Sequence, residues 1–407
     1  MDMEFDIKQV TNNVVVQVKP DGIATLPSLD ACGFPVSYVT NTGVTLIPMK
    51  LQLQKVLDGP PAPLSQLYSV ATRSDGVTNT SWNSVWINQA LENGKKYNMT
   101  ELTCMSEFGK EKYKPVIIAG SGPSIKKNYM NLRKKWVHKQ NLDTGKMEYM
   151  VGGGRDDIKI VSCLHNFGLF ENEDVMTKDD YYMTLDAGAI TITETIEGGS
   201  GKHPPEWYWE RTKDRTLLTH LTANPELLAK WQGRILFFTT PAATEEVKKA
   251  YDSVADCTIV PSFSVGGNAL GACLYFARAI LGAGPVIFIG ADFSFSYEQK
   301  FHGWDSPYDQ KFMGVEAVTD IYGNRCYTWP SYYGFKCWLD YIACGGAGGQ
   351  EHDFYNCTEG GILGAYPEGN IRQFRYMPLT VALNIFTCHE KVPTMTKNTK
   401  TVPMVLY

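Results

Sequence analysis

The sequence predicts an α/β fold: a doubly wound, Rossmann-like and mostly parallel sheet with a small β-rich module at its N-terminal end. Three observations lead there. From Lys114 onward, short apolar runs alternate with helix-compatible stretches, the pattern of a parallel sheet covered on both faces. The chain has 407 residues, enough for one large domain of this kind with additions. Its 37 Gly and 21 Pro are dispersed, which excludes collagen-like, coiled-coil and wholly disordered chains.

Six runs supply the expected strands: Pro115 to Ala119, Ile158 to Cys163, Tyr181 to Leu185, Ile235 to Thr239, Cys257 to Val260 and Val286 to Ile289. The clearest helix is Ala269 to Leu281. Ala and Leu fill it, Gly266-Gly267-Asn268 precedes it, and Gly282-Ala283-Gly284 ends it. Between strands, His138 to Val151 holds Asp143-Thr144-Gly145 between two polar-apolar runs and reads as an inserted hairpin. Residues 1–55 have a strand-and-turn texture: Val14 to Val18, the turn Pro20-Asp21-Gly22, Ile23 to Leu26, then Val36 to Thr40 and Val44 to Met49 around Asn41-Thr42-Gly43. Residues 56–113 form a mixed connector, in which Pro60-Pro61-Ala62-Pro63 breaks the pattern and Trp82, Val85, Trp86, Asn88 and Leu91 have helical spacing. We read that helix as a connector and not a site. Residues 114–390 form the α/β domain, and 391–407 a Lys/Thr/Pro-rich tail with an apolar end.

Charge narrows the partners. Lys and Arg total 38 against 43 Asp and Glu, a formal charge of −5, so no global basic surplus draws in nucleic acid or anionic lipid. The first residues, Met-Asp-Met-Glu-Phe-Asp, carry acid where a signal peptide needs base, and no run approaches the roughly 18 apolar residues of a membrane span. A cytoplasmic chain without a membrane span is expected. The ten cysteines include no C-x-x-C pair and several lie in apolar runs, so they read as buried reduced thiols. A zinc site built from Cys344, His352, Cys357 and Cys388-His389 is the alternative, though it lacks the expected spacing.

The strongest local signal is Val116 to Ile125, an apolar strand running through Gly120-Ser121-Gly122-Pro123-Ser124 into a helix. Gly120 and Gly122 admit close approach, Pro123 presets φ for the helix start, and the first helical N–H groups point beyond the strand's carboxyl end. Phosphate is the natural occupant; a plain βα turn is the alternative. Six of the fourteen residues from Lys126 to Lys139 are Lys or Arg, either a solvated face or a phosphate-attracting patch. Open α/β sheets bind ligands outside the carboxyl ends of their strands. That places His165-Asn166, Asp186 and Gly290-Ala291-Asp292 at the same edge, with His302, ten residues past Asp292, as the candidate base. Glu197 to His203 lacks the first Gly and the Ser/Thr of a P-loop and reads as a loop. Trp207-Tyr208-Trp209 reads as an aromatic cluster or a stacking platform.

These residues carry a resemblance. Ala119-Gly120-Ser121-Gly122-Pro123-Ser124 resembles the G-x-G-P-S loop of the family that holds motility-associated flagellin glycosyltransferases and archaeal 6-hydroxymethylpterin diphosphokinases (MptE-like). Gly266-Gly267-Asn268-Ala269, Gly290-Ala291-Asp292-Phe293, His302, Tyr322 to Thr328 and Thr358-Glu359-Gly360-Gly361 with Pro378-Leu379 are similar to later family segments, in the same order, across Lys114 to Leu383. Bacterial sialyltransferases that use a cytidine-monophosphate sugar share the loop and the G-x-D-F strand end. The resemblance implies a nucleotide-dependent transferase with a nucleotide or nucleotide-sugar as cofactor and a hydroxyl acceptor. Gly120 to Ser124, His165, Asn166 and Gly290 would hold the nucleotide, Asp186 would sit near its ribose or phosphates, and His302 and Asp292 would be catalytic. Diphosphate transfer from ATP would use Asp186 and Asp292 as magnesium ligands. Related domains in bacteriophage genomes imply a third reading, a structural or virion-associated protein that docks or self-associates through its N-terminal β module and C-terminal tail.

Overall fold

The computed structural model describes residues 82–133, 136–140, 147–151, 155, 158–199, 201–295, 316–346, 354–366 and 369–387, together with three short N-terminal strands. Those are β1 (Glu4–Phe5), β2 (Ser37–Thr40) and β3 (Gly43–Leu46), an antiparallel sheet in the order β1-β3-β2. β2 and β3 match the expected pair around Asn41. The runs Val14 to Val18 and Ile23 to Leu26, the Pro60 to Pro63 break, Asp143 to Gly145, His302, His352, Cys388, His389 and the tail lie outside the described residues.

From residue 116 the chain builds the predicted α/β architecture. In order come β4 (Val116–Ala119), the antiparallel hairpin β5 (Trp136–Gln140) and β6 (Met147–Val151), β7 (Lys159–Cys163), β8 (Tyr181–Thr184), β9 (Thr216–His220), β10 (Arg234–Phe238) and β11 (Val286–Ile289). A second hairpin, β12 (Glu316–Thr319) with β13 (Arg325–Thr328), precedes β14 (Phe354–Asn356) and β15 (Phe374–Tyr376). Eight strands form one sheet in the order β10-β9-β8-β7-β4-β11-β14-β15, and every neighbouring pair is parallel. The chain starts at β4, winds outward through β10, then returns to the other side of β4 as β11. The switch point therefore lies between β4 and β11.

The apolar runs are continuous because both faces are covered. Ile117 and Ala119 enter one core cluster and Val116 and Ile118 the other, all fully buried. Helix 82–96 joins the first face through Ala90, and its Asn93 side chain donates to Leu221 O (3.0 Å) and Ala223 O (2.8 Å). The expected helix at Ala269 is present. Asn268 caps it by accepting from Gly271 N (2.8 Å), and Ala269–Tyr275 continues as a π turn, Phe276–Ile280. Among the described residues no helix is long and apolar enough to cross a membrane.

Two expectations fail for identifiable reasons. Cys257 to Val260 is not a strand, because the Asp256 carboxylate accepts from Thr258 N (2.9 Å) and Thr258 Oγ1 (2.6 Å) and folds the segment into a turn. The sheet instead has β9, which the sequence reading did not include: Thr216, Thr219 and His220 disguise a strand whose five residues are all buried.

Candidate functional site

A cavity of about 510 Å³ opens over the carboxyl ends of β8, β7, β4 and β11. Gly120 to Pro123, His165, Asp186, Asn268, Gly290, Asp292 and Ser294 all line it, so most of the residues picked from the sequence do meet there. Asn166 does not. It is fully buried, and its Nδ2 donates to Ala119 O (3.3 Å), Gly120 O (3.0 Å) and Ser162 Oγ (3.1 Å), which fixes the end of β4 from beneath.

The glycine loop is built by contact with β11. Gly120 N donates to Ile289 O (2.8 Å) and Gly122 N to Gly290 O (2.9 Å). A Cβ on Gly120 would lie 2.3 Å from Gly290 O, and one on Gly122 would lie 2.2 Å from Asp292 Oδ2. These glycines are thus required by the approach of the neighbouring strand end, independent of any ligand. The helix that follows is short, Ile125–Asn128, and passes into a 3₁₀ turn, Tyr129–Leu132. Ser124 leaves it uncapped because Ser124 Oγ donates to Asp292 Oδ2 (2.7 Å) and Ser124 N reaches both carboxylate oxygens (3.3 Å each). The anion at this helix start is the protein's own Asp292. Burial lifts the Asp292 carboxyl to about 6 against the opposing bonds from Ser124 and the charge of Lys127.

Of the basic stretch after the loop, the three cations with described side chains do not line the cavity. Lys127 Nζ donates to Glu359 O (3.0 Å), and Arg133 is engaged by the backbone and carboxylate of Glu173. Lys126 is exposed, and none of the three lines the cavity; Lys134 and Lys135 lie outside the described residues. Of the two readings of that stretch, the solvated face fits its described members. Among the described residues, the ionisable nitrogen on the cavity wall belongs to His165. Its Nε2 lies 2.9 Å from Glu194 Oε2. Burial opposes protonation, yet the bond to Glu194 and the charges of Glu194 and Asp186 hold the imidazole above its ordinary value. Asp186 Oδ1 accepts from Gly188 N (2.6 Å), while burial raises its carboxyl.

Several residues on or behind the cavity wall carried no recognisable signal. Glu194, on helix Ile190–Glu197, meets His165 only through the fold. Cys163, at the end of β7, accepts a hydrogen bond from Cys273 that holds its thiol below the usual range, while burial pushes Cys273 up. Trp82, Trp86, Tyr332 and Phe335 also line the cavity, so the segment read as a connector contributes to the site. Trp207 to Trp209 do not: Tyr208 is buried, Trp207 stacks on His203 at 3.8 Å, and both belong to the helix Pro205–Arg211, which bears out the aromatic-cluster reading. No group of three metal-ligating side chains gathers among the described residues.

The geometry defines a class: a parallel α/β protein with a cavity at its switch point, aromatic and apolar walls around a few polar groups. The sequence matches no protein-family model and no curated protein. One solved structure to which the chain is similar is the MAf glycosyltransferase from Magnetospirillum magneticum AMB-1, with 16% identity and a TM-score of 0.43. The likeness covers 69% of this chain and 38% of that one, so the chain spans well under half of that longer protein.

Proposed function

We propose that this protein is a nucleotide-dependent transferase, and that the group transferred is a sugar from a nucleotide-activated donor of the cytidine-monophosphate type. The observation that carries the reading is the convergence of the 120–123 loop, His165, Asp186 and Asp292 on one cavity at the switch point. In this reading the donor's phosphate lies against the loop, with His165 as its cationic partner. Asp186 faces the ribose, and His302 takes the acceptor's proton. Positioning and charge neutralisation supply most of the rate. A second reading rests on the two aspartates that line the same cavity: Asp186 and Asp292 as magnesium ligands for diphosphate transfer from ATP to a hydroxymethyl compound of the pterin type.

A thermal-shift screen with cytidine monophosphate, other nucleotides and ATP, with and without magnesium, separates them. Ligand at a hundred times its dissociation constant stabilises by about 2.7 kcal/mol. A cytidine response without magnesium is expected; an ATP response that needs magnesium selects the second reading. No shift with any nucleotide removes both.

A further inference from the structure

Two pairs of aromatic side chains line the cavity. Trp82 and Trp86 lie four residues apart on helix 82–96, and Tyr332 and Phe335 three apart on helix Pro330–Tyr341, spacings that put each pair on one helix face. Each pair is anchored to a different rim. Gln89 Nε2 donates to Ala187 O (2.9 Å), and Trp82 Cη2 would lie 3.7 Å from a Cβ on Gly188, so the tryptophans stand on the turn that presents Asp186. Phe335 Cε1 would lie 2.9 Å from a Cβ on Gly267, and Trp338 packs on Gly266, so the second pair stands on the glycines ahead of Asn268. Tyr332 and Phe335 are neighbours, with ring centroids 6.3 Å apart. Trp82 remains 36% exposed, a large apolar ring presented at a cavity wall.

The tryptophans stand beside the end of β8 and the glycine loop beside β11. The loop itself ends β4, so two strand spacings, about 10 Å, separate it from the tryptophans, the scale of a mononucleotide from base to phosphate. We propose that Trp82 and Trp86, with Tyr332 and Phe335 on the neighbouring wall, form a stacking subsite for a nucleobase. The bound molecule is then a nucleoside phosphate and not a sugar phosphate alone. This rests on the nucleotide reading of the cavity. Aromatic faces stack on every base, so the subsite selects a flat heteroaromatic ring before it selects which one.

Isothermal titration calorimetry on the full chain tests it, with the four nucleoside monophosphates and ribose 5-phosphate as probes. The tightest nucleotide binds at least tenfold tighter than ribose 5-phosphate. Trp82→Leu and Trp86→Leu each weaken that nucleotide by at least about 5-fold, the lower bound of one lost base stack, and leave ribose 5-phosphate unchanged. Trp82→Phe, which keeps a flat ring, stays within about threefold of wild type and controls for misfolding together with the melting temperature. Ribose 5-phosphate binding as tightly as every nucleotide, or both ligands weakening equally in folded tryptophan variants, overturns the stacking subsite and leaves the cavity's phosphate role standing. Binding of neither ligand overturns the reading beneath it.

Discussion

Replacing Asp292 by Asn removes a charge from the most enclosed part of the candidate site with almost no change of shape. The carboxyl group is buried against Ser124 N and Ser124 Oγ, and desolvation raises it from 3.8 to about 6. Below pH 3.8 it is neutral in both folded and unfolded chains and contributes no pH dependence. Between 3.8 and about 6 the unfolded chain releases a proton that the folded chain keeps, so stability falls as pH rises. Above about 6 both states are ionised and the full cost remains. At 1.36 kcal/mol per unit that cost is about 3 kcal/mol. Asp292→Asn cannot titrate. Its altered hydrogen bonds to Ser124 add a constant offset, so its stability relative to wild type should rise by about 2.4 kcal/mol between pH 4 and pH 7. Urea unfolding at fixed ionic strength across that range reads the difference. A flat difference, or wild type gaining on the variant as pH rises, would refute the claim that this carboxylate is desolvated at the loop.

Other outcomes follow from the same geometry. Gly122→Ala drives a methyl to 2.2 Å from Asp292 Oδ2 and should lower stability by about 1–3 kcal/mol, seen as a reduced melting temperature; an unchanged one contradicts the contact. Burial pulls His220 down to about 3, so its contribution is present above the unfolded value near 6.5 and is lost as pH falls. His220→Gln should cancel a loss of about 2 kcal/mol between pH 7 and pH 5. Glu171 accepts from Arg215 Nε (2.7 Å), Arg211 Nε (3.1 Å) and the Tyr182 hydroxyl (2.9 Å) while buried, so Glu171→Ala should cost about 3–5 kcal/mol in urea unfolding. Glu194→Gln removes the partner of His165, and the His165 ring protons in an NMR titration should then report a lower pKa than in wild type. An unmoved titration breaks the proposed pair.

The sheet was legible where strands are buried on both faces. Val116–Ala119 and Val286–Ile289 are unbroken apolar runs, and only such runs fit between two helical layers. β9 escaped because His220 satisfies its polar ring locally, against Thr222 Oγ1 (2.7 Å) and Thr240 N (3.0 Å), so polarity in the sequence did not mean exposure. β14 and β15 are three residues each, below the length at which alternation or apolar runs can be recognised. The Cys257 run looked like a strand because the turn belongs to Asp256, just ahead of it. At the site, the glycine loop and Asp292 were each visible, but not that one binds the other across 168 residues. That contact means the helix start at Ser124 already holds a carboxylate, so a ligand's anion is left the cavity side of residues 120–123. The helical spacing of Trp82 and Trp86 was visible too, whereas the face it covers depends on Asn93 and Gln89 reaching backbone carbonyls far along the chain.

The central claim is that a nucleotide occupies the cavity above β4 and β11. A crystal structure of the full chain grown with the tightest-binding nucleoside monophosphate tests it most directly. The account predicts the phosphate against Gly120 to Pro123 and the base against Trp82 and Trp86. A nucleotide bound instead in the open groove lined by Thr240, Glu245 and Lys248, with the switch-point cavity unchanged, would contradict it.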